Sequence, residues 1–365
     1  MKMITTFLFV LSAVPAFSTH ILGGYIQVRN VSPATYEIIV RLYLERSGTS
    51  QQEISIPVCF DDGSEPVTAA RSSSLALEGG ILLNEYRTTR SFNGSGSGNR
   101  TVAVSIPNRT DSRNVPSALS IPFYIQTTFT TAQINTTPVF EDLDNRLTGL
   151  ANQKVEYNFL AKDSEGDSVV HYLVRVQSGG CDQGGQPVAG YTFPNDVTRR
   201  GVFSVGPQTG QLVWNAPTET GNYGFAVAAE EWRNGQRISE TVFDMIALIV
   251  DNAGGTPGTI PPYEPALPGG LLTGWEEPSN DPDITVAAYP SPSPNRFLVK
   301  LKSRKPTTAT FQLLDNQGRL IQEVTTRKAS QEIEERIGPE KLAPGLYLIR
   351  TSVRGRVYTS KVLKQ

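Results

Sequence analysis

T-Y-E-I-I-V-R-L-Y-L-E, residues 35–45, alternates with a period of two. Tyr36, Ile38, Val40, Leu42 and Leu44 fall on one side, and Glu37, Arg41 and Glu45 on the other. Successive side chains of an extended backbone point to opposite faces, so this is a strand with one face in a core and one in water. The period returns at Val102, Val104 and Ile106, and again around Phe123 and Ile125. Long helical patterns are missing, while 32 glycines and 25 prolines punctuate the short apolar runs. Such a chain is expected to be all-β, built of antiparallel β-domains.

A chain of 365 residues has room for about two or three domains. Its 33 basic and 35 acidic side chains nearly balance, which argues against nucleic acid or an anionic membrane surface as the main partner. Residues 1–18 read as an export signal: Lys2 gives the positive start, Ile4 to Val14 the apolar core, and Ala16-Phe17-Ser18 the cleavage site. That apolar run is too short for a membrane-spanning helix, and no other stretch is long enough. No cysteine follows the cleavage region, so a lipid anchor is not expected. The mature chain is expected to begin at Thr19.

Cys59 and Cys181 are the only cysteines. They fall in segments read as separate domains, and a bridge requires Cα atoms within about 7 Å. Two independent thiols are therefore the expectation, with a disulfide as the alternative.

The end of the chain carries the most specific motifs. From Tyr289 it reads Y-P-S-P-S-P-N-R-F-L-V-K-L, then L-L-D-N-Q-G-R-L, L-A-P-G-L-Y-L-I-R and T-S-K-V-L-K-Q. In order, these blocks resemble the carboxy-terminal sorting domain by which the type IX secretion system of Bacteroidetes recognises cargo. The resemblance implies a sorting domain over residues 284–365. Its signal positions would be Tyr289, Pro290, Asp315, Gly318, Arg319, Gly345, Tyr347 and Lys361. One position departs, Ser291 standing where the family has Asn. The implied partner is the type IX machinery, and the implied location is outside the cell or attached to its outer surface, after export through the periplasm. Residues 252–283, rich in proline and glycine, read as a stiff linker before this tail.

Two weaker resemblances cover the rest. Residues 19–131 contain C-F-D-D-G-S and S-F-N-G-S-G-S-G-N-R-T-V-A-V-S, which resemble the turn and closing strands of PKD-type sandwiches. The opening T-H-I-L-G-G-Y-I is similar to the start of gliding-associated surface proteins. Residues 137–251 follow N-T-T-P-V-F-E and contain K-D-S-E-G-D-S, T-G-Q-L-V-W and G-N-Y-G-F-A-V. That series is similar to cadherin-like and immunoglobulin-like bacterial domains, so the resemblances together imply tandem immunoglobulin-like β-sandwich domains followed by a small β-sandwich sorting domain.

Groups able to carry chemistry are few. His20 and His171 are the only histidines, and each reads as a strand residue. No H-E-x-x-H, G-x-S-x-G or C-x-x-C motif occurs. Glu230 and Glu231 are adjacent, so on a strand they point to opposite faces and cannot form a catalytic pair by themselves. The best cluster is the acidic turn, where Asp163, Glu165 and Asp167 surround Gly166 and offer hard oxygen ligands for Ca2+. The cadherin-like resemblance adds Glu231 to this metal set and suggests Asp142 and Asp144 at a domain joint. Trp214 reads as core. Trp232, before R-N-G-Q-R, reads as an exposed aromatic for ligand binding.

The expected function is a non-catalytic surface or extracellular module for adhesion, display or matrix binding, with a polysaccharide or surface protein as partner. The alternative is a secreted hydrolase or a carbohydrate-binding accessory protein.

Overall fold

The computed structural model describes residues 21–46, 53–92, 98–233, 236–253, 258–266, 268, 284–289, 293, 296–315, 319–339, 341–354 and 356–364. The expected export signal and His20 lie outside the described residues. No helix is long and apolar enough to cross a membrane among those residues.

The first lobe comprises β1 (Ile21–Ser32), β2 (Thr35–Glu45), β3 (Ser55–Phe60), β4 (Val67–Leu77), β5 (Ile81–Ser91), β6 (Asn99–Ile106) and β7 (Phe123–Thr130). The second begins with β8 (Val139–Phe140), β9 (Thr148–Leu150), β10 (Val155–Asn158), β11 (Ala161–Lys162) and β12 (Ser168–Val174). A ribbon follows, β13 (Gln177–Gly180) with β14 (Gly184–Pro187), then β15 (Val202–Val205) and β16 (Gln211–Asn215). Two long strands, β17 (Gly221–Arg233) and β18 (Gln236–Val250), complete it. The tail holds β19 (Ile284–Tyr289), β20 (Phe297–Thr307), β21 (Ala309–Leu314), β22 (Leu320–Thr325), β23 (Ser330–Ile337), β24 (Gly345–Val353) and β25 (Arg356–Lys364). The fold is all-β, arranged as several packed sheets.

One sheet runs through both lobes in the order β1-β2-β5-β4-β3-β6-β7-β18-β17-β12. β17 occupies one edge of β18 from Gln236 to Ile249. The opposite edge takes three partners in turn: β7 at Ser239–Thr241, β1 at Asp244 and Met245, and β9 at Leu248–Val250. The first lobe thus curls until its two terminal strands meet on β18. Gly23 and Gly24 permit the crossing, since a Cβ on Gly23 would lie 2.3 Å from Met245 Sδ, and one on Gly24 would lie 2.4 Å from the Arg41 carbonyl.

The alternation of residues 35–45 sorts their side chains between environments. Tyr36, Ile38, Val40, Leu42 and Leu44 are buried inside the curled first lobe with Val58, Val104 and Ile125. On the other face, Tyr43 is buried with second-lobe residues. Tyr25 and Tyr43 sit 5.0 and 5.7 Å from the Phe243 ring, and Phe140 packs on Phe243 at 5.1 Å. Each such aromatic pair adds about 0.5–1.5 kcal/mol beyond area burial. The face expected to be wet is therefore dry where the second lobe covers it. Further along that face, Glu37 bridges Arg29 (2.6 Å) and Arg87 (2.9 Å), and Glu85 bridges Arg87 (2.7 Å) and Arg41 (3.2 Å).

Cys59 and Cys181 form a disulfide, with Cα atoms 5.3 Å apart, which corrects the expectation of independent thiols. The cause is the β13–β14 ribbon, which reaches back over the first lobe. Ser105 Oγ donates to the Gly179 carbonyl at 2.6 Å, and Gly185 lies so close to the Tyr124 ring that a Cβ there would be 2.2 Å away. A second cross-lobe tie is the wholly buried ion pair of Arg109, in the β6–β7 connection, with Asp244 of β18.

The tail is a separate sandwich of a three-stranded sheet, β19-β20-β23, on a four-stranded sheet, β22-β21-β24-β25. Phe297, Val299, Leu301, Phe311, Leu313, Ile337, Ile349 and Val362 fill the space between them.

Candidate functional site

The acidic turn links β11 to β12. Gly166 has φ +85°, a conformation that suits glycine, and reverses the chain there. Asp163 Oδ1 accepts the Asp167 backbone N–H at 2.7 Å and closes the turn. β12 then pairs with β17 so that Val169 lies beside Glu231. Asp163, Asp167 and Glu231 come together, each with a carboxylate oxygen within 4.8 Å of the others, the one such group among the described residues. Glu165 is not part of it. The reversal at Gly166 breaks the alternation that would have aligned three acids, and Glu165 is exposed with Oε2 accepting from Ser164 Oγ at 2.8 Å. Asp142 and Asp144 are not in the cluster either, and Asp142 lies beside the Tyr43 hydroxyl instead.

Glu231 is fully buried. Its Oε2 accepts from Ser239 Oγ at 2.5 Å and from Asn135 Nδ2 at 2.7 Å. Its Oε1, like Asp163 Oδ2, is buried with no hydrogen-bond partner. Burial pushes the Glu231 carboxyl up to about 8, against the opposing pull of Ser239 and Asn135, and the neighbouring Asp163 carboxyl adds to the rise. Arg233 grips Asp167 through Nε, at 2.9 Å to both oxygens, and Nη2, at 2.5 Å to Oδ2. Arg233 Nη2 also donates to Asn135 Oδ1 at 2.9 Å. Two carboxylate oxygens without a partner are hard-oxygen donors of the kind calcium takes, while the third acid, Asp167, is already held by the Arg233 guanidinium. Asn135 and Ser239 escaped sequence reasoning. They stand in the polar stretches A-Q-I-N-T-T and Q-R-I-S-E-T, where nothing in the sequence sets them apart.

Trp232 does not present a platform to solvent. Its ring is buried against Val170 and Leu363, the latter from the last strand of the tail. Trp214 is in the core, 4.9 Å from Tyr223. His171 is fully buried, with Nε2 accepting from the Ala161 N–H at 2.8 Å and Nδ1 3.0 Å from the Pro207 carbonyl. Burial lowers its pKa, so it is neutral and fixed in one tautomer. Glu230 is buried on the opposite face from Glu231 and pairs with Arg237 at 3.0 Å.

In the tail, the motif residues hold turns. Asp315 accepts the Arg319 N–H at 2.8 Å and Arg319 Nε at 2.9 Å, clasping the β21–β22 hairpin. Gly345 opens β24 at φ +152°, and Tyr347 Oη donates to the Ala343 carbonyl at 2.8 Å. Lys361 pairs with Leu348 in the β24–β25 ladder, and Tyr289 ends β19 opposite Leu298. Pro290, Ser291 and Gly318 lie outside the described residues.

Residues 287–365 match the family model described as "Secretion system C-terminal sorting domain". No curated protein matches the chain. Among solved structures, one described as "Biofilm associated protein - BSP domain" is 9% identical, with 97% of this chain and 68% of that chain covered and a TM-score of 0.18. At that score the likeness carries no argument here. The tail, by contrast, is matched in sequence and folded as a unit: the chain carries a type IX secretion sorting domain and is a cargo that this system delivers outside the cell, to be attached there or released.

Proposed function

We propose that the delivered body is a non-catalytic surface module that binds a polysaccharide or another surface protein. The observation that supports this most is the single sheet shared by the two lobes, with β18 taking strands from both. It makes the body one rigid unit suited to displaying loops. The segment read as a linker over 252–283 is not a free spacer throughout: Gly258 and Glu264 bond to the backbone of the second lobe, Pro268 bridges Leu173, and Ala266 is buried in that lobe's core. Two of the buried titratable groups, His171 and Glu230, are held by structural partners. The full chain applied to an array of bacterial and matrix polysaccharides is expected to retain at least one and return it intact. A shortened glycan in the eluate would instead favour the hydrolase reading.

The same reading places a structural cation at Asp163, Asp167 and Glu231. When bound there, it would neutralise the two orphaned oxygens and tie the acidic turn to the β17–β18 hairpin. Without a cation, the folded chain holds the Glu231 proton up to about 8, whereas the unfolded chain releases it near the ordinary value of 4.5. Burial of this carboxyl therefore costs nothing below that lower value, and its destabilising effect grows as pH rises through the window between the two.

In chelator near pH 8, Glu231→Gln should accordingly be more stable than wild type by about 1–3 kcal/mol, the gap closing near pH 4.5. Calcium should raise the wild-type melting midpoint and leave the variant's unmoved, because only the ionised site gains from the metal. A wild-type midpoint that saturating calcium does not shift removes the cation from this site.

A further inference from the structure

The near balance of charge over the whole chain hides a division. Residues 284–365 hold 15 of the 33 basic side chains and only 6 of the 35 acidic ones. The tail is strongly basic and the body acidic, and opposite net charge on two folded units suits them to different partners. An anionic surface, disfavoured by total charge for the chain as a whole, is favoured for the tail alone.

The fold gathers part of this surplus at one end of the tail sandwich. Arg354 follows β24 and donates through Nη2 to the Lys305 carbonyl at 2.7 Å. Lys305 lies near the end of β20, whose last residue, Thr307, pairs with Ser330 at the start of β23. Arg327 and Lys328 stand in the connection between β22 and β23. They follow Thr326, whose N–H donates to the Ala309 carbonyl at 2.9 Å, and Ala309 pairs with Val353 beside Arg354. Separate segments of the chain thus bring Lys305, Arg327, Lys328 and Arg354 to the same end, all of them exposed. None of these cations is in an ion pair among the described residues.

The described acids of the tail lie elsewhere. Glu334 and Glu332 pair with Lys300 and Lys302 on the outer face of β20 and β23, and Asp315 clasps Arg319 at the opposite end. Glu323 accepts from Gln312, and Glu335 stands opposite Val299. The body also meets the tail away from the cations, where Leu363 packs on Val170 and Trp232. Leu363 is near the far end of β25 from the Arg354 turn, about 20–25 Å along the strand. Turn tips at the end of a sandwich meet a flat layer of charge at several points, whereas an extended acidic peptide is held best in a groove or along a strand edge.

We propose that this end of the tail docks on an anionic lipid surface, with Lys305, Arg327, Lys328 and Arg354 against the phosphate headgroups. The test sediments the full chain with vesicles of phosphatidylcholine alone and with vesicles of equal parts phosphatidylcholine and phosphatidylglycerol. The chain should sediment with the second kind only, and less so as salt is raised. Changing Lys305→Gln, Arg327→Gln and Lys328→Gln together should weaken the partition about a hundredfold, at roughly fivefold for each cation near such a surface. These three side chains hold no bond among the described residues, so the melting midpoint should stay put. Changing Lys300→Gln with Lys302→Gln, on the face where Glu334 and Glu332 already pair with them, should weaken the partition only several-fold. A loss in this second variant as large as in the first overturns the proposal, and so does equal sedimentation with both kinds of vesicle. Absence of sedimentation with either at low salt overturns it too, the result expected if Glu276, Glu277, Asp281 and Asp283 of the chain itself neutralised this end. Binding of a labelled polyglutamate peptide without binding of the vesicles would assign the end to an acidic protein instead.

Discussion

Replacing both cysteines, Cys59→Ser with Cys181→Ser, is expected to lower the unfolding free energy of the body by about 3–5 kcal/mol. The bridge spans 122 residues of sequence, and closing a loop of that length removes about 5 kcal/mol of chain entropy from the unfolded ensemble. Loss of the bridge leaves the ribbon held by weaker ties, such as the Ser105–Gly179 hydrogen bond and the packing of Gly185 on Tyr124. Denaturant titration of the two proteins measures the difference directly, and a reducing agent should bring wild type to the level of the variant. An unchanged midpoint under reduction, with two free thiols found by mass spectrometry, would contradict the bridge. The shared sheet and the buried Arg109–Asp244 pair should keep the variant folded, so the loss is a matter of degree.

Local pattern carried far in this chain, and long-range pairing carried little. The alternation of Tyr36 to Leu44 identified the strand and its core face. It could not show that the opposite face would be covered at Tyr43, because that depends on Phe140 and Phe243 arriving from far along the chain. The same holds for Cys59 and Cys181, whose proximity follows from a ribbon folding back over another lobe. The acidic turn was legible from composition and its glycine, and Glu231 lies beside Asp163 and Asp167 of that turn. Glu165 was not separable by spacing, since alternation fails where Gly166 takes a positive φ. Asp244 offered a readable clue: a charge inside V-F-D-M-I-A-L-I-V on a buried strand calls for a buried partner, though nothing in the sequence named Arg109. Trp232, beside a hairpin turn, looked exposed because the strand that covers it lies at the far end of the chain.

A chain ending at Asp283 is expected to lose delivery to the outside altogether while its body stays folded. Physical separation of the cores supports both halves of that expectation. The tail's core is built from its own two sheets, and the lobes keep theirs when it is removed. Truncation uncovers only a small apolar patch on the body, where Leu363 packs on Val170 and Trp232. What it removes is the folded recognition element, whose turns are set by the Asp315–Arg319 clasp and the Tyr347–Ala343 hydrogen bond. The address is thus expected to reside in the tail's own fold, which meets the body at Leu363. The most direct measurement is protease accessibility on intact producing cells, comparing the full chain, the chain ending at Asp283, and an unrelated exported reporter fused to residues 284–365. The full chain and the fusion are predicted to be digested or found in the medium, while the truncated chain is protected inside. A truncated chain that still reaches the outside, or a fusion that stays behind, would contradict an autonomous address.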